Sequence, residues 1–207
     1  MYDGQGIGMT TFASERISVN LPVEMLDRLR VRYAEPQRRY HTWPHVLACI
    51  EARERLVTEP APAVDLALLF HDAVYEPLAS DNEQRSADLL HAEGRELALP
   101  PHVLEAATAA ILATRHGANE PEGDVARIVC DADLSILAAD RLGYALYERQ
   151  VRDEFRMVDD AAWSAGRARV LRGFLARPRI YTTARGHELW EAAARHNLET
   201  SLWALGQ

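Results

Sequence analysis

Three short segments concentrate side chains that bind cations or move protons. Tyr40-His41-Thr42-Trp43-Pro44-His45 carries two imidazoles four residues apart. His71-Asp72 follows the apolar run Leu66-Ala67-Leu68-Leu69-Phe70 without a break. Asp131 and Asp133 flank Ala132 directly after Ile128-Val129-Cys130. Burying a carboxylate beside an imidazole is expensive unless something pairs with both, and a metal ion is an economical partner. Two carboxylates as close as 131 and 133 repel unless one faces solvent or a cation. Singly, each segment has an ordinary explanation: a helix end meeting solvent, histidines in a loop, aspartates as N-caps. In order, H…HD…D on separate elements offers two imidazoles and two carboxylates, a shell suited to a divalent transition metal.

The elements that must bring these segments together read as helices almost throughout. Ala, Leu, Glu and Arg dominate and alternating β-branched runs are missing, so the fold class is all-α. The spacing predicts helices over Pro22 to Tyr33 and Pro44 to Val57, the second stopped by the Pro60–Pro62 stretch. A third, Ala63 to Tyr75, is apolar almost all round and therefore central. Asp81 with Gln84 reads as a capping box for a helix reaching Glu93, and Pro101 opens another that reaches Arg115. One or two short helices fill Asp124 to Ala139, and three more run from Arg141 to Phe155, Asp160 to Ala176 and Thr183 to Leu205. Residues 1–14 are Gly-rich and non-periodic and read as a disordered leader, which leaves 15–207 as one helical domain.

Bulk properties agree with that picture. The chain has 207 residues, enough for one ordinary core, with 48% hydrophobic and 26% charged residues. A net charge of −8 argues against nucleic acid as a partner, because that needs basic surface to displace counterions. No apolar run is long enough to span a bilayer and the N-terminus lacks a signal-peptide layout, so no membrane is expected and cytoplasm is the expected location. Cys49 and Cys130 show no CxxC spacing and read as buried thiols. The four tryptophans, Trp43, Trp163, Trp190 and Trp203, read as packing residues.

The order His45, His71-Asp72, Asp133 resembles the HD superfamily of metal-dependent phosphohydrolases. Tyr40 to His45 is similar to the Tyr-His-Asn-x-x-His element of cyclic-nucleotide phosphodiesterases in that superfamily. Cys130 to Ser135 resembles their Cys-Ala-Asp-Leu-Ser element with Asp131 inserted. From Pro22 to Leu205 the chain looks like a family of bacterial predicted HD hydrolases, through Asp81-Asn82-Glu83-Gln84-Arg85-Ser86-Ala87, Ala113-Thr114-Arg115-His116 and the region from Tyr147-Glu148 through Arg177-Pro178.

The resemblance implies a single-domain HD-type helical bundle with His45, His71, Asp72 and Asp133 as metal ligands, Asp133 being chosen because it matches the Ala-Asp-Leu-Ser element. It implies one or two divalent ions, with manganese, iron, cobalt, nickel or zinc favoured over magnesium by the histidines. It further implies hydrolysis of a small phosphate ester, a nucleotide among the candidates, by metal-activated water. Asp72 would orient that water or take its proton, and His41 would protonate the leaving oxygen. Glu83, Arg115, His116 and Asp131 are candidates for substrate contacts or for supporting the ligands, and Arg38 and Arg39 for attracting phosphate. Two non-hydrolytic readings stay open: a di-iron oxygenase and a metal-bound ligand-sensing module. A homodimer also stays open.

Overall fold

Proline and short polar caps decide where the helices of this chain begin. The computed structural model describes residues 16–95, 97, 99–115 and 120–206. The expected leader over 1–14 and His116 lie outside the described residues. Helix α1 spans Val23–Tyr33 after Pro22, α2 spans Trp43–Leu56 with Pro44 in its first turn, and α3 spans Pro62–Phe70. Then come α4 (Asn82–Gly94), α5 (Pro101–Ala113) and α6 (Asp124–Asp133), the last running into a 3-10 turn over Leu134–Ala138. Three capped helices complete the chain: α7 (Arg141–Glu154) from Asp140, α8 (Asp160–Leu175) from Asp159, and α9 (Ala184–Ala204) from Thr183. In each of these the cap oxygen accepts a backbone N–H at 2.8–2.9 Å, the usual remedy for the unpaired donors of a helix start. Among the described residues there is no strand, and no helix is long and apolar enough to cross a membrane.

Helix α3 is the hub. Leu66, Ala67, Leu68, Leu69 and Phe70 are all fully buried, and α2, α4, α5 and α6 all pack against the helix. Each large side chain removed from water there contributes about 1.5–3 kcal/mol. Its one charged residue, Asp65, is buried too, held by the Arg53 guanidinium at 2.8 Å and by the backbone N–H of Ser18 at 2.6 Å. Helix α9 closes the bundle over the 3-10 turn and α8. Its N-terminus is anchored by Asp131, whose carboxylate accepts from the backbone N–H and hydroxyl groups of both Thr182 and Thr183.

The structure departs from the expectations in three places. The third helix stops at Phe70 instead of Tyr75, for a reason that belongs to the site below. The Asp81–Gln84 capping box does not form: Asp81 caps nothing with its side chain, and Gln84 donates instead to Asp88 one turn on. Trp203 is 82% exposed and packs little, whereas Trp43 and Trp190 are core residues.

Candidate metal centre

His71 both ends α3 and points a nitrogen at its neighbours. Its Nδ1 lies 3.0 Å from the Leu68 carbonyl, the acceptor that a continuing helix would give to the N–H of Asp72. The side chain takes that carbonyl and the chain turns, Ala73 N–H reaching back to Phe70 at 3.0 Å. With Nδ1–H engaged, Nε2 carries the lone pair that can bind a cation, the arrangement by which metal-binding histidines are commonly fixed. His45 lies in the first turn of α2, with Cys49 Sγ one turn along at 3.6 Å from both its Nδ1 and its Nε2. Arg38 braces the turn. Its buried guanidinium donates to the carbonyls of His41 at 2.9 Å, Asp72 at 2.7 Å and Ala73 at 3.3 Å.

Donor atoms from α2, α6 and this turn converge. His45 Nε2 lies 3.1 Å from His71 Nε2, 3.4 Å from Asp72 Oδ2 and 3.1 Å from Asp133 Oδ1. His71 Nε2 lies 3.0 Å from Asp72 Oδ2 and 3.5 Å from Asp133 Oδ1. Donor atoms 3.0–3.5 Å apart can share a centre about 2 Å from each, the length of a zinc–nitrogen or zinc–oxygen bond. Adjacent corners of an octahedral shell are spaced alike. The ligand atoms of His45, Cys49, His71 and Asp133 also fall within 4.8 Å of one another, so the buried Cys49 thiol is a further candidate donor of the same group. This buried group can hold a metal ion.

Its electrostatics ask for a cation. Two carboxylates and two neutral imidazoles leave two negative charges to balance, which one divalent ion does. Burial works against the charged form of both histidines. His45 is nevertheless held well above its ordinary value by Cys49, Tyr40 and bonds to Asp133 and Asp72. His71 is raised likewise by Asp72 and Asp133. Burial would raise Asp72, yet the nearby histidines, His71 foremost, hold it well below the carboxylate range. Access is one-sided: the imidazole side chains are 2% and 1% exposed, the carboxylates of Asp72 and Asp133 17% and 13%.

His41 stands just outside this shell. Its ring stacks on Tyr75, centroids 4.1 Å apart, and its Nδ1 lies 2.7 Å from Glu154 Oε2 at the end of α7. Glu154 is buried among donors: the N–H groups of Arg39, Tyr40 and His41 reach Oε1 at 2.7, 2.8 and 3.0 Å, and the Tyr75 hydroxyl reaches Oε2 at 3.0 Å. Burial would raise its pKa, but His41 and these N–H groups overcome that and bring it down to about 2. Ionised Glu154 therefore fixes the His41 tautomer with Nδ1–H toward the carboxylate, and Nε2 is the nitrogen left for chemistry.

Both groups border a cleft of about 1140 Å³ whose wall includes Tyr40, His41, Tyr75 and Asp133. Of the other expected residues, Glu83 and Arg115 line this cleft. Glu83 makes no hydrogen bond or ion pair with another described residue, while Arg115 donates to the Ser80 carbonyl. Asp131 is not brought to the cluster by any contact. Both of its oxygens are taken up by Thr182 and Thr183, which makes it a tether for α9. Arg38 is likewise spent on carbonyls, and Arg39 donates to Pro36 and Arg38; neither is arranged as a phosphate contact.

Sequence reasoning passed over Glu154, Tyr75, Cys49 and the bracing role of Arg38. For Glu154 a signal existed. Tyr144, Val151 and Glu154 recur at helical spacing on the buried stripe of α7, and a carboxylate on such a stripe needs a partner. Comparison with family models, curated proteins and solved structures finds no match for the chain.

Proposed function

We propose that the protein is a metal-dependent phosphohydrolase of HD type, acting on a small phosphate ester with water as the nucleophile. The observation that supports this most is the convergence of His45, His71, Asp72 and Asp133 at separations of 3.0 to 3.5 Å, beside a histidine oriented by a buried carboxylate. A divalent ion held by those four residues supplies Lewis acidity, which polarises a phosphoryl oxygen and brings water's pKa toward neutrality.

The chain's own residues account for the rest. His41 offers Nε2 to the departing oxygen, and Glu154 keeps the ring turned and balances the charge it carries when it holds a proton. Asp72, on the open side and held ionised, is a hydrogen-bond acceptor that orients water more readily than it takes a proton. Leu134, Ile136 and Leu137 line the cleft next to Asp133 and limit access of bulk water to the reacting atoms.

Metal quantification on natively purified protein, followed by a panel of phosphomonoesters and phosphodiesters assayed with the metal found, tests the reading. Stoichiometric transition metal with turnover of at least one ester class is the expected result. Protein that takes up no ion, or that stays inert toward every ester once loaded, overturns it.

A further inference from the structure

Tyr147 and Glu148 lie on α7, and Arg167 meets them from α8. Tyr147 and Arg167 line the cleft that His41 and Asp133 border, and Glu148 is not part of that wall. Of the arginines on the wall, Arg167 is the buried one, with its side chain 8% exposed.

The donors of this pair can be counted. A guanidinium carries five N–H groups and accepts nothing. Nε of Arg167 donates to Glu148 Oε2 at 3.4 Å, and Nη2 donates to Glu148 Oε1 and, at 3.0 Å, to the Tyr147 hydroxyl. Nη1 meets no acceptor among the described residues, yet it is not sealed from solvent. The cleft is the opening that this enclosed side chain borders. The Tyr147 hydroxyl is in the same condition: it accepts from Arg167, and no described residue accepts its own proton. Two Nη1 hydrogens and one phenolic hydrogen with no acceptor suit a ligand that only accepts, which is an oxyanion. Glu148 holds the guanidinium so that its planar fork is fixed before anything binds.

The pair sits close to the candidate metal centre. Tyr147 precedes Glu154 by seven residues, two turns of α7, so the two share a face of that helix. Glu154 holds His41. The Tyr147 ring meets Tyr40 edge-on with centroids 4.7 Å apart, and Tyr40 in turn lies 4.7 Å from the His45 ring. One aromatic ring therefore separates Tyr147 from a residue of the metal group.

We infer that the Tyr147 hydroxyl and Arg167 Nη1 bind oxygens of the reacting phosphoryl group. This rests on the hydrolase reading for the identity of that group, whereas the donor pair itself is tested without turnover.

Equilibrium binding of inorganic phosphate and of phenylphosphonate, neither of which can be hydrolysed, is measured on the protein as purified, with metal content recorded for every sample. Inorganic phosphate presents the reacting group alone. Tyr147→Phe keeps the ring that packs on Tyr40 and removes one O–H. It weakens binding of both probes about tenfold, the scale of one charge-assisted hydrogen bond, and leaves metal content unchanged. Arg167→Lys, which keeps the charge and loses the fork, weakens both at least as much. The inference is overturned by phosphate that fails to bind the wild type, by Tyr147→Phe binding it as tightly as the wild type, or by a loss confined to phenylphosphonate. Metal lost together with phosphate from Tyr147→Phe overturns it too. The expected loss in protein that hydrolyses no ester leaves the donor pair standing and removes the hydrolase reading; turnover with phosphate binding untouched in Tyr147→Phe does the reverse.

Discussion

Glu154 and His41 are 113 residues apart in sequence, yet their Oε2 and Nδ1 atoms lie 2.7 Å from each other, behind the His41 ring that lines the cleft. The same carboxylate gathers the N–H groups of residues 39, 40 and 41, so it shapes the loop as well as turning the ring. Glu154→Gln keeps the size and loses the charge. Because the folded value, about 2, lies below the ordinary 4.5, the stabilisation is fully present above pH 4.5. It is lost as pH falls through about 2. Linkage puts it at about 3 kcal/mol near neutrality. Denaturation of wild type and variant across pH should show that gap closing in acid; a gap that does not change with pH refutes the account. With His41 no longer held, kcat should also fall while metal content stays unchanged.

Asp131 and Asp133, two residues apart, have separate jobs and should fail differently. Asp133→Asn removes a carboxylate from the metal group and is expected to lose bound metal with the helical fold kept. Asp131→Asn sets an amide donor against the N–H and hydroxyl donors of Thr182 and Thr183, at a cost of about 2–4 kcal/mol, with metal retained by the folded fraction. Gly186→Ala should behave like the latter, because its Cβ would sit 2.5 Å from Asp131 Oδ2. Metal content and thermal denaturation measured side by side decide the matter. Metal lost from Asp131→Asn before unfolding would move Asp131 into the centre.

Helical class and most helix starts were legible because they are local: Pro22, Pro44 and Pro101 and the caps at Asp159 and Thr183 act on the next turn of their own chain. The end of α3 was not. Apolar periodicity runs on through Val74-Tyr75, and what stops the helix is the His71 ring capturing the Leu68 carbonyl, an event invisible to periodicity. Residue types at the centre were legible because an imidazole and a carboxylate beside an apolar run demand a partner. Their neighbours were not, since Arg38, Glu154 and Asp131 are polar residues whose burial is decided by tertiary packing.

His41 and Asp72 can be separated by the same pair of measurements. Asp72→Ala takes an oxygen from within 3.4 Å of both ligand nitrogens and should remove bound metal together with any hydrolysis. His41→Ala leaves all four ligands in place, so metal is retained while turnover drops about 100- to 10,000-fold, the range for a general acid. Loss of metal from His41→Ala would overturn the assignment of roles.

Removing the metal should destabilise the protein more at high pH than at low. In the metal-free chain His45 and His71 have values raised above the ordinary 6.5 by the surrounding carboxylates and, for His45, by Cys49 and Tyr40, against the effect of burial. Protons then serve as the missing cation. Their stabilisation is fully present below pH 6.5 and is lost as pH rises through the raised folded values. A divalent ion competes with those protons, so its own contribution grows as they leave. At an ion concentration 100 times Kd that contribution is about 2.7 kcal/mol, or about 5–10 °C in Tm for a chain of this size. Thermal scans with and without chelator at several pH values should therefore diverge on going from pH 6 to pH 9. Curves that stay parallel, or that converge with rising pH, would show that no ion shares the site of these two imidazoles.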